Sequence, residues 1–158
     1  MNNTRTVSLW IASEEPSYRH VERLADAALQ DAVDGESHAT TARNNAIEAL
    51  ALQIEEFVCE SMPYVKGMWG DLIQSALDSV DFEDIARVIL SDRQIYSIFS
   101  GDCEDAQLFT DEELARDRLL DMVRPESDPE GVKALRIQEM QPGSTVNIEG
   151  TEYTLGVS

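Results

Sequence analysis

Apolar side chains recur at three-and-four spacing through the middle of the chain. Between Thr41 and Met62 the stripe Ala46, Ile47, Leu50, Ala51, Ile54, Phe57 and Val58 predicts a helix that buries one face. Pro63 ends it, because the residue before a proline is disfavoured in the helical conformation. Gly67 and Gly70 flank Trp69, and the next helix is expected to carry Met68, Leu72, Ile73, Ala76, Leu77 and Val80 inward. Asp81 then opens DFEDIARVIL, with Asp84 three residues on as a relative of the capping box and Phe82, Ile85, Ala86 and Ile89 facing inward. These three helices, from Asn44 to Leu90, are expected to meet in one apolar seam.

On the N-terminal side, Thr6 to Ala12 alternates Val7, Leu9 and Ile11 with Thr6, Ser8 and Trp10, which predicts a short strand with one buried face. Ser13 is placed as the cap of a helix that carries Tyr18, Val21, Leu24, Ala25, Ala28 and Leu29 on one stripe and ends at Gly35, before a polar loop, GESHAT. From Asp92 to Thr110 the pattern loses definition. RQIYSIF fits either an extension of the preceding helix or a strand, and SGDCEDAQ reads as an exposed loop.

Thr110 and Glu113 form a capping box for TDEELARDRLLDMV, with Leu114, Ala115, Leu119, Met122 and Val123 inward until Pro125 stops the helix. PESDPEG is a linker. Beyond it ALRIQEM, STVNI and TEYTLGV, separated by turns at Pro142–Gly143 and Glu149–Gly150, read as an antiparallel meander that the leading strand can join. So small a sheet is marginal alone and is expected to pack on the helices.

The expected fold is mainly α (α+β): four to five amphipathic helices in one bundle-like domain with a small antiparallel sheet. Residues 1–124 hold the helical part with its N-terminal strand, and 125–158 the linker and meander packed on it. A chain of 158 residues, 42% hydrophobic, is long enough for one domain with a real core.

Charge changes the picture most. The 31 acidic and 12 basic residues leave a formal net charge of −19, which repels nucleic acid and anionic lipid and points to basic protein partners. In the central helices Glu48, Glu55, Glu56, Glu60, Asp71, Asp78, Asp81, Glu83 and Asp84 are opposed only by Lys66 and Arg87. Farther on, Glu113, Asp117 and Asp121 recur every fourth residue. On a helix that repeats carboxylates roughly every 6 Å, a density comparable to a DNA strand with one phosphate per about 3.4 Å of axis. The lysines are only Lys66 and Lys133, and adaptation to a salt-rich cytoplasm also explains that depletion.

Catalytic chemistry finds little support. His20, His38, Cys59 and Cys103 are too scattered for a zinc site, and two cysteines suit a reducing, cytoplasmic compartment. The chain shows no secretory signal and no apolar run long enough to span a membrane. Asp102, Glu104 and Glu113 occupy positions one, three and twelve of a calcium loop, but Ala106 and Gln107 supply neither the fifth-position ligand nor the glycine of the turn. There is no Gly-x-Ser-x-Gly elbow, and GMWG lacks the length and the lysine of a phosphate loop. Asp81 with Asp84 reads as a cap plus a solvated face rather than an acid–base pair. Arg116, Arg118 and Arg124 share a helix with Glu113, Asp117 and Asp121, where they pair with acids in place of phosphates. No catalytic residue, cofactor or metal is expected.

Leu9, Trp10, Glu14, Glu15 and Tyr18, followed by Asp71, Leu72, Ala76, Leu77, Val80, Asp81, Phe82, Ile85 and Ala86, resemble a small, largely uncharacterised family of acidic proteins from phages, plasmids and other mobile elements. The resemblance runs from about Val7 to Leu90, rests on packing residues and implies no catalytic group. Pro16 and the histidine-bearing turn depart from the pattern. In size, acidity and helix content the chain is also similar to phage antirestriction and anti-CRISPR proteins that imitate DNA.

The expected function is therefore a non-enzymatic acidic binding protein, a DNA mimic that occupies the basic groove of a nucleic-acid-binding or host-defence protein. Its surface would comprise Glu48, Glu55, Glu56, Glu60, Asp71, Asp78, Asp81, Asp84, Glu113, Asp117 and Asp121. Two alternatives stand beside it. One is a helical adaptor with a salt-adapted surface and an apolar interface around Trp10, Trp69 or Met68. The other is a hydrolase with a carboxylate site.

Overall fold

The computed structural model describes residues 2–100, 106–123, 131–148 and 151–158. Among them the fold is mainly α, with seven helices and a four-stranded antiparallel sheet. Packing divides the chain into two compact units, Met1–Ala28 with Asn45–Asp92, and Leu29–Asn44 with Arg93–Ser158.

The first unit is entirely helical. It contains α1 (Asn3–Ser13), most of α2 (Glu15–Gly35) and of α3 (Ala39–Ser61), α4 (Met68–Leu77) and α5 (Phe82–Leu90). The stripe read on α3 is its buried face: Ala46, Ile47, Leu50, Ala51, Ile54 and Val58 are inside, with Phe57 half-buried. Val21, Ala25 and Ala28 of α2 and Phe82, Ile85, Ala86 and Leu90 of α5 complete the core. Each large side chain among them contributes about 1.5–3 kcal/mol on leaving water.

Tyr18, placed on the apolar stripe of α2, is 48% exposed, and two larger expectations fail. The leading segment is a helix, not a strand, so it cannot join the sheet. Val7, Leu9 and Ile11 alternate, but Val7, Trp10 and Ile11 also lie at three-and-four spacing. The second pattern is the one turned inward, with Ile11 buried and Val7 and Trp10 half-buried, leaving Leu9 58% exposed, and the Asn2 side chain caps the helix by accepting from the Arg5 amide. Ser13 consequently closes α1, its hydroxyl donating to the Trp10 carbonyl, and does not cap α2. The second failure is α4, which buries no residue at all. Met68, Leu72, Ile73 and Ala76, expected to face inward, are exposed, and Leu77 and Val80 are half-buried. Amphipathic spacing identifies the helix; it does not say that anything covers its apolar side.

The second unit is built on the sheet, in the order β2-β1-β4-β3, from β1 (Tyr96–Ser100), β2 (Gln107–Phe109), β3 (Thr145–Ile148) and β4 (Thr151–Val157). Ile98 faces Leu155 across β1 and β4, and Val146 faces Tyr153 across β3 and β4. One face packs on α6 (Glu112–Asp121) and α7 (Val132–Gln138), through Ala115, Leu119, Ile137 and the nearby Met140. Residues 29–44 join this unit through hydrogen bonds. The Arg43 guanidinium donates to the carbonyls of Arg93, at 2.7 Å, and Ser158, at 3.0 Å, and the Ala106 amide donates to the Ser37 carbonyl.

The ambiguous RQIYSIF segment thus supplies the strand β1. ALRIQEM, expected as a strand, lies largely in α7, because Ile137 and Met140, three apart, are the positions that reach the core. The cap of α6 is Asp111, whose carboxylate accepts from the Glu113 and Leu114 amides; the Thr110 hydroxyl instead donates to Gln30. Leu114, expected inside, is 54% exposed. The linker residues 125–130, the loop residues 101–105 with Asp102, Cys103 and Glu104, the turn at 149–150 and Arg124 lie outside the described residues.

Candidate protein-binding surface

On α3, the face opposite the core carries Glu48, Leu52, Glu55, Glu56 and Glu60, all exposed. Glu48 and Glu55 lie four residues before and three after Leu52, so the three side chains are neighbours on the helix surface. Across from them runs the turn between α4 and α5, with Asp78, Ser79, Val80, Asp81, Phe82 and Glu83. Together these segments enclose an open cavity of about 650 Å³. Its lining includes buried Ala51 and Phe82, Leu52, which is 68% exposed, and the carboxylates of Glu48, Glu55, Asp78, Asp81 and Glu83.

The turn is held by α1. The Asn3 side-chain amide donates to the Ala76 carbonyl at 3.2 Å and to the Ser79 hydroxyl at 2.7 Å, and the Asp81 amide donates to the Thr4 hydroxyl at 2.9 Å. Asp81 has a structural duty as well, since its carboxylate accepts from the Asp84 amide at 2.9 Å and caps α5. Glu83 and Asp84 in the first turn complement the positive end of that helix.

A second cavity, of about 550 Å³, lies where Cys59, Met62 and the loop 63–67 meet α4. The chain folds back so closely that a Cβ on Gly70 would lie 2.3 Å from the Val65 carbonyl oxygen, so glycine is required there. Next to this loop α4 presents an apolar patch. Met68 and Trp69 are each 66% exposed, beside Leu72, Ile73 and Tyr64. Lys66, one of the few cations in this region, stands over the Tyr64 ring with its ammonium 5.6 Å from the ring centre.

Every predicted surface carboxylate is exposed. Glu48, Glu55, Glu56, Glu60, Asp71, Asp78, Asp81 and Asp84 share the first unit, whereas Glu113, Asp117 and Asp121 are on α6 in the second. Of the first group, Glu48, Glu55, Asp78 and Asp81 come together at one cavity and Asp71 lines the other. The residue that sequence reading missed is Leu52. Its signal was present: it falls off the apolar stripe of α3, between two glutamates, where core packing has no use for it. On α6 the pairing of arginines with acids takes a different form from the expected one. Arg116 pairs with Glu112 and donates to the Met140 carbonyl, and Arg118 donates to Gln107 at 3.1 Å.

Among the described residues no group of three or more histidine, cysteine, aspartate and glutamate side chains is placed to hold a metal ion. His20 packs its ring against Phe57, with centroids 4.7 Å apart. No helix of the described residues is long and apolar enough to cross a membrane. No protein-family model, curated protein or solved structure matches this chain. The arrangement in hand is one of carboxylates turned to solvent around exposed apolar side chains.

Proposed function

We propose that this protein is a non-enzymatic acidic binding protein that occupies the basic groove of a nucleic-acid-binding protein, such as a host-defence nuclease, and so competes with DNA for it. The observation that carries this reading is the exposure of Glu48, Glu55, Glu56, Glu60, Asp71, Asp78, Asp81 and Asp84 on one helical unit, where Lys66 and Arg87 are the only cations from Asn45 to Leu90. Such a surface steers a cationic partner into place, and its affinity falls as salt rises.

The test is binding to an immobilised basic DNA-binding domain at low and high salt, with duplex DNA as competitor. Binding that weakens with salt and is displaced by DNA is expected. Changing Glu55, Glu56 and Glu60 together to lysine weakens it while leaving the helix content unchanged, since exposed charges contribute little to stability. Binding that ignores both salt and DNA overturns the reading.

A second reading, a helical adaptor with an apolar interface, is supported by α4, where Met68 and Trp69 face solvent. It expects a partner whose binding survives high salt and is lost in Met68→Ser with Trp69→Ser.

A further inference from the structure

The cavity between α3 and the α4–α5 turn is more than a charged surface. Carboxylates alone would serve a flexible polycation, yet this site places Leu52, Val80 and the edges of Ala51 and Phe82 between them. Leu52 is 68% exposed and lines the same cavity as Val80 and the five carboxylates, so an apolar contact and charged contacts are offered to one occupant. The cavity, about 650 Å³ and open to solvent, has room for a few side chains of a partner and not for a whole domain surface.

We propose that this cavity receives a cationic amphipathic helix of the partner protein. An apolar residue of that helix packs against Leu52 and Val80, beside Ala51 and Phe82 of the same lining. Lysine or arginine side chains three and four residues away reach Glu48 and Glu55 on one flank and Asp78, Asp81 and Glu83 on the other. This is helix-in-groove recognition with charge complementarity choosing the occupant. A basic helix is also the element with which many DNA-binding proteins enter the major groove. The inference therefore rests on the reading above and names the part of the basic partner that is held. A second copy of this chain is a poor occupant, because it brings the same net charge of −19.

The probe is a synthetic helical peptide of leucine, alanine and lysine with its leucines on one face, compared by fluorescence anisotropy with a scrambled peptide of the same composition. The full chain is expected to bind the amphipathic peptide at least about tenfold more tightly than the scrambled one. Leu52→Gln, at an exposed helical position that glutamine suits, is expected to remove about tenfold of that preference and to leave the scrambled peptide unaffected. Glu48→Gln with Glu55→Gln weakens both peptides. Circular dichroism of each variant verifies the fold.

Equal affinity for the two peptides, no binding of either, or a Leu52→Gln variant that still prefers the amphipathic peptide overturns the cavity as a helix site. None of these results touches competition with DNA for a basic domain, which does not depend on Leu52. Conversely, a Leu52-dependent preference together with a basic domain that DNA cannot displace keeps the helix site and removes the reading as a DNA mimic.

Discussion

Trp10 of α1 stacks on Phe57 of α3, with ring centroids 5.9 Å apart and planes inclined by 24°. His20 of α2 lies against the same Phe57 ring, so one side chain joins three helices of the first unit. Phe57→Leu keeps most of the buried apolar volume and loses the aromatic pairs, which lowers stability by about 1 kcal/mol. Phe57→Ala removes the volume too and costs about 3 kcal/mol. Urea unfolding followed by circular dichroism separates the two.

Asp81 both caps α5 and borders the acidic cavity. Asp81→Ala removes the acceptor for the Asp84 amide and destabilises the protein by about 1 kcal/mol. Asp81→Asn keeps an acceptor and loses only the charge, so its unfolding midpoint stays near that of the parent while binding of a cationic peptide weakens. Measured side by side, the two variants divide the structural role of the carboxylate from its electrostatic one.

In the second unit β1 and β4 approach so closely at Gly156 that no side chain fits. A Cβ there would lie 2.5 Å from the Ser97 hydroxyl and 2.8 Å from the Phe99 ring, and Ser97 is buried. Gly156→Ala is expected to cost about 1–3 kcal/mol through overpacking. Phe99→Leu in the same chain recovers part of that loss, because the ring of Phe99 is partly exposed and dispensable while Ser97 remains in the way. Thermal unfolding of the single and double variants checks this.

Tyr96 titrates above the ordinary 10.0 of a phenol, first because burial disfavours the phenolate and then because Glu112 and Asp111 add negative charge nearby; Arg116 opposes them. Its hydroxyl donates to the Gln94 side chain at 2.7 Å. The folded state therefore holds this proton more tightly than the unfolded chain. The resulting stability is fully present below pH 10 and is lost as pH rises through the folded value. Glu112→Gln lowers the Tyr96 titration midpoint, read from phenolate absorbance against a Tyr96→Phe control.

The fold was legible where local spacing and burial agree. Seven apolar positions on α3 leave one sensible face, and Gly35 and Pro63 mark the ends of the helices before them. Legibility failed where a short segment satisfies two periods at once, as Val7 to Ile11 does, or where the deciding partner is distant in sequence. Thr110 and Asp111 are both good caps; what separates them is Gln30, which engages the Thr110 hydroxyl. For the candidate surface, the acids were evident from composition, since carboxylates in such excess must face water. The cavity was not, because the approach of residues 78–83 to Glu48 and Glu55 depends on Asn3 and Thr4 holding the turn from the far end of the chain.

The uncovered side of α4 has a bearing on how the molecule behaves in solution. An oily band built from Met68, Trp69 and Leu72 would ordinarily draw copies of a protein together. At neutral pH the repulsion between copies that each carry a net charge of −19 opposes that association. Acidifying toward the isoelectric point near 4.2 removes the repulsion and leaves the tryptophan-bearing helix free to clump.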